Sequence, residues 1–90
     1  MVTVKDSMAT FRFYRPTARQ VYLVGDFNQW RAEVMPMRRG EDGYWQATVR
    51  LTPGNFRFRY CADGHWYSDF AAFGLEPGPF GWDSVVRVAG

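Results

Sequence analysis

The stretch "YWQATVRLTPGNFRFRYCADGHWYSD", residues 44–69, constrains the fold more than any other. From Tyr44 to Leu51 the side chains alternate. Trp45, Ala47, Val49 and Leu51 fall on one face, and Tyr44, Gln46, Thr48 and Arg50 on the other. "TPGN" then turns the chain around Pro53 and Gly54. The alternation resumes with Phe56, Phe58 and Tyr60 on the inward face and Arg57, Arg59 and Cys61 on the outward one. "ADG" turns the chain again, and "HWYSD" returns as a short hairpin strand. A period of two, interrupted only by tight turns, belongs to half-buried antiparallel strands.

The rest of the chain follows the same rule. "TFRFY" (10–14) sets Phe11 and Phe13 on one face and Arg12 and Tyr14 on the other, and Pro16 ends it. "QVYLV" (20–24) reads as a buried strand, and "SVVRV" (84–88) as the last one. The long loop 25–43 contains Met35 and Met37 around Pro36, an edge segment expected to pack back on the core. Residues 70–83 read as a loop rich in Gly, Pro and Phe. No segment has a helical period. The spacing predicts an all-β, immunoglobulin-like β-sandwich of about six to eight short strands, with residues 1–90 as one domain.

Ninety residues allow one small core and exclude a barrel enzyme or a dinucleotide-binding fold. The aromatic content of 19% is high enough to place rings on the surface. A net charge of +2 demands no polyanionic partner. The single cysteine, Cys61, excludes an internal disulfide and a multi-cysteine zinc site, and His65 has no second histidine as a co-ligand. There is no secretory h-region and no apolar run of ~18 residues, so the expectation is a cytoplasmic protein away from membranes, without cofactor or metal.

Four pieces in fixed order carry a family resemblance: "VYLVGDFNQW" (21–30), "MPM" (35–37), "DGYWQATVRLTPGNFRFRYCADGHWYSD" (42–69) and "SVVRV" (84–88). Together they resemble carbohydrate-binding module family 48. This is the early-set domain at the N-terminus of isoamylases and glycogen branching enzymes, and also the glycogen-binding domain of the AMP-activated protein kinase beta subunit. The resemblance implies binding of α-1,4-linked glucans such as glycogen, starch and maltooligosaccharides. It implies a sugar-binding face with two tryptophans, which match Trp30 and Trp66. It also implies a basic residue, matched by Arg59, where a lysine is common. An asparagine of the family pattern is replaced by Asp83, which keeps acceptors but lacks amide donors. Trp82 also departs from the pattern.

The residues themselves bear on these roles. Trp30 and Trp66 sit in loop and turn contexts with polar neighbours, which predicts exposed indoles on one side of the molecule with Arg59 beside them. A flat indole suits the CH face of a glucose ring, and adjacent polar groups suit its hydroxyl edge. Trp45 lies in the inward register and is expected in the core. Arg57 reads as a solvated charge. Asp26 and Asn28 are read first as loop-shaping residues and only second as sugar ligands. Trp82 is expected to anchor the 70–83 loop with Phe80 and Gly81, the alternative being a third platform. The acids Asp26, Asp63, Asp69 and Asp83 form no carboxylate pair across a cleft in the sequence pattern, and no nucleophilic triad or phosphate loop is present, so no catalysis is expected. Two further readings stand beside glucan binding. One is docking to a glycogen-metabolising enzyme or kinase subunit through an apolar 70–82 patch with Phe70, Phe73, Phe80 and Trp82. The other, ranked below it, is weak binding of single-stranded nucleic acid.

Overall fold

The computed structural model describes residues 1–69, 72–79 and 81–89. Among these residues nine strands form two antiparallel sheets. The first sheet runs in the order β1 (Val2–Lys5), β2 (Met8–Tyr14), β5 (Tyr44–Arg50), β4 (Arg38–Arg39). The second runs β3 (Val21–Gly25), β6 (Gly54–Ala62), β9 (Gly81–Val88), β8 (Gly74–Gly78), with β7 (His65–Tyr67) also paired to β6. The architecture is the early-set, immunoglobulin-like sandwich expected, with more strands than the six to eight read from the pattern. The additional ones have local reasons. β1 joins β2 through a tight hairpin at Asp6 and Ser7, with Lys5 opposite Met8. β8 contains Gly74, Pro77 and Gly78, a loop-like composition that a sheet tolerates at its edge.

The inward faces meet as the alternation requires. Phe11, Leu23, Phe58, Tyr60 and Val86 are fully buried between the sheets, and Trp45 and Met37 join them. Phe11 packs edge-on against Phe58 at 4.9 Å and tilts against Phe27 at 5.7 Å. The edge segment around Pro36 packs as expected: Met37 donates its N–H to the Val21 carbonyl, and the Met35 carbonyl accepts from Leu23. Immediately afterwards β4 pairs with β5, so this segment passes from one sheet to the other. The Tyr60 hydroxyl donates to Asp69 at 2.8 Å, and burial, with the adjacent carboxylate, pushes the phenol far above its ordinary range.

The "ADG" hairpin positions β7. Asp63 and Gly64 both have positive φ, 49° and 83°, as a two-residue type I′ turn demands. The Asp63 carboxylate also accepts the backbone N–H groups of Arg19 and Gln20 at 3.0–3.1 Å. These bonds hold its pKa below the usual aspartate range. A carboxyl depressed on folding stabilises above its unfolded pKa, and that contribution disappears as pH falls through the folded value. We expect an NMR titration to place Asp63 below free aspartate, with its share of acid destabilisation appearing below about pH 4. Asp63→Asn should remove that share, and an Asp63 carboxyl titrating at the ordinary value would contradict the account.

Candidate functional site

β6 is the strand on which the site is built. It pairs with β3 along Phe58–Ala62 and, on its other edge, with β9 along Gly54–Phe58 and β7 along Tyr60–Ala62. Its outward residues Arg57 and Arg59 form the floor of a groove of about 720 Å³, lined by Asp26, Trp30, Arg57, Arg59, Trp66, Pro79 and Asp83. Trp30 comes from the turn after β3, Trp66 from β7 and Asp83 from β9. Both indoles are accessible, Trp30 at 36% and Trp66 at 47%.

The sequence around "GDFNQW" explains how Trp30 is held. β3 ends at Gly25, where a Cβ would stand 2.5 Å from the Arg57 carbonyl oxygen, so only glycine allows this approach. Asp26–Asn28 form one 3-10 turn, followed by Gln29 and Trp30 in the left-handed region, both with φ 56°. That conformation is uncommon for a bulky side chain and persists where surrounding contacts enforce it. Asp26 supplies such contacts. Its Oδ1 accepts the Trp30 indole N–H and its Oδ2 accepts the Arg57 backbone N–H, each at 2.8 Å. The Asp26 carboxylate thus ties the Trp30 indole to the floor strand, and Trp30 exposes its ring with the indole N–H already bonded.

Asn28 lies elsewhere. It is buried, its Oδ1 accepts from Gly25 N and its Nδ2 donates to the Leu23 carbonyl, both at 3.0 Å. Its amide shapes the turn, and the secondary reading as a sugar ligand is corrected on that ground.

The charged floor differs from an open row of arginines. Arg59 is buried at 9% exposure, with its Nε 2.8 Å from Asp83 Oδ1. Arg57 reaches Glu76 at 2.6 Å and lies 3.8 Å from the other Asp83 oxygen. Asp83 is itself 5% exposed. Arg57, read from the sequence as a solvated charge, is therefore a groove residue with two acidic neighbours. Pro79 and the Trp30-clamping role of Asp26 also escaped the sequence pattern.

Trp82 corrects an expectation. At 56% exposure it is no buried anchor, and it is absent from the groove lining. Alternation along β9 sends it to the face opposite Asp83. Its carbonyl accepts a bond from the Ser68 hydroxyl. The proposed anchoring by Phe80, and the Phe70 and Phe80 portions of the apolar patch, lie outside the described residues.

Residues 2–79 match the model of carbohydrate-binding module 48, the isoamylase N-terminal domain. The chain belongs to carbohydrate-binding module family 48. This family 48 chain is 35% identical over 89 residues to the 1,4-alpha-glucan branching enzyme of Lactobacillus acidophilus, covering 93% of the chain and 14% of that enzyme. It is 37% identical over 71 residues to the branching enzyme of Salinibacter ruber, covering 74% of the chain and 11% of the enzyme. The family 48 chain thus spans a small fraction of these relatives' length.

Proposed function

We propose that the groove binds linear α-1,4-linked glucans of about five or more units without cleaving them, residue stacking on indole being the main attraction. The observation that carries this reading is the placement of two accessible indoles, Trp30 and Trp66, on one groove with a charged, hydrogen-bonding floor. The match to family 48 and the likeness to 1,4-alpha-glucan branching enzymes support the same ligand class. By analogy with base stacking each platform supplies ~1–3 kcal/mol, and a few net hydrogen bonds supply about 0.5–1.5 kcal/mol each. After ordering costs the dissociation constant falls between roughly ten micromolar and millimolar.

The pairing of Arg57 with Glu76 and of Arg59 with Asp83 weighs against nucleic acid, because both groove arginines already face carboxylates. Docking to a glycogen-metabolism enzyme is a second reading, supported by exposed Phe73 and Trp82. A single-domain unit working in the cytoplasm is part of the proposal. Calorimetric titration with maltoheptaose at low and moderate salt tests the main reading. Saturable binding nearly independent of salt is expected. Oligonucleotide binding that falls steeply with salt, without a maltoheptaose response, would reverse it.

A further inference from the structure

We propose that Asp83 is a positioning residue of this groove, fixing the Arg59 guanidinium and making no contact with ligand. The proposal rests on the glucan reading for its ligand and on the geometry below for its mechanism.

Asp83 is one of the residues lining the groove, yet its carboxylate is almost wholly buried against its neighbours. Its side chain is 8% exposed and Oδ1 lies 2.8 Å from Arg59 Nε. Its second oxygen faces Arg57 Nη1 at 3.8 Å. The backbone behind it leaves no space: a Cβ at Gly78 would collide with the Asp83 carboxylate. Gly81, at φ 127°, approaches the other partner, and a Cβ there would stand 3.1 Å from Arg59 Nη2. At both glycines the β8–β9 hairpin backbone thus approaches the Arg–Asp pair closely. Arginine has many rotamers, and a groove floor built from a mobile arginine would lose the benefit of its planar donor fork. A charge-assisted bond on Nε sets the plane before ligand arrives, so less ordering accompanies binding.

This assignment reverses the sign of an otherwise natural expectation. Were Asp83 a sugar contact, Asp83→Asn would add amide donors and tighten binding. As a positioning residue, Asp83→Asn removes the charge that holds Arg59, and maltoheptaose should bind about three- to tenfold more weakly.

The experiment compares the wild-type chain with Asp83→Asn, Arg59→Ala, the double variant and Arg59→Lys. Thermal melts establish that each is folded. In ligand-free protein, the Arg59 Nε–H resonance should be protected from exchange with water in the wild type and lose that protection in Asp83→Asn. In titrations with maltoheptaose, Asp83→Asn should weaken binding in the wild-type background and change nothing further in the Arg59→Ala background. Arg59→Lys keeps the charge but lacks the Nε donor, and should weaken binding even if Asp83→Asn fails to fold. Tighter or unchanged binding by Asp83→Asn, or an undiminished effect of it in the Arg59→Ala background, overturns the proposal. So does an Nε–H unaffected by Asp83→Asn. A wild-type chain that gives no maltoheptaose response sinks the glucan reading, and the Nε–H comparison then still decides whether Asp83 fixes Arg59.

Discussion

The double substitution Trp30→Ala, Trp66→Ala should abolish most glucan affinity while leaving the fold intact. Each ring is accessible and lines the same groove. Removing both takes away about 2–6 kcal/mol of stacking, at least roughly thirtyfold in the dissociation constant. Stability should move little, because exposed side chains away from caps and buried networks usually contribute within about 0.5 kcal/mol each. Isothermal calorimetry with maltoheptaose, paired with a thermal melt, separates the two quantities. Near-wild-type affinity in the double variant would show that the platforms are elsewhere. The single variants carry extra information: Trp30 is tied through Asp26 to the Arg57 backbone, so Trp30→Ala also releases a carboxylate that Trp66→Ala leaves in place.

The largest stability effect is expected from Phe11→Ala. Phe11 is completely buried, in ring contact with Phe58 from the opposite sheet and with Phe27 from the turn that leads to Trp30. Truncating a buried phenylalanine costs about 3–5 kcal/mol through lost transfer energy and the cavity left behind. Small domains have only about 5–15 kcal/mol in total, so the variant should lie near the edge of folding. Urea unfolding monitored by tryptophan fluorescence gives the difference directly. A loss below about 1 kcal/mol would mean that the core collapses around the missing ring far better than its packing suggests.

Much of this arrangement is legible in the sequence because it is periodic or local. Trp45 lies in the inward register of an alternating strand, and the same alternation sets Arg57 and Arg59 on one outward face. "ADG" specifies its own turn, and "GDFNQW" places Trp30 in a polar loop. The interactions that tune the groove are not local. Asp26 meets the Arg57 amide across 31 residues, and Arg59 meets Asp83 across 24. An outward position in a strand normally means exposure, and no pattern in β6 by itself says that Arg59 is covered by a neighbouring hairpin. The same holds for Asn28. Its type suits either a turn or a sugar, and only the converging Leu23 carbonyl and Gly25 amide decide for the turn. The place of Trp82 is not legible from the glycine- and proline-rich segment before it, which reads as a loop needing an anchor, whereas β8 is an edge strand paired in register with β9.

The central place of β6 has a thermodynamic consequence. Arg57 and Arg59 are carried by the strand that joins β3 to β9, with Phe58 and Tyr60 of the same strand in the core between the sheets. Strands of this kind open only when the whole domain does. The groove floor therefore has no melting transition of its own, and occupancy and folding are linked as one equilibrium. A ligand at a hundred times its dissociation constant raises the free energy of unfolding by about 2.7 kcal/mol. That increment slows hydrogen exchange in the β6 core by the same factor at every amide that depends on global unfolding, however far it lies from the sugar.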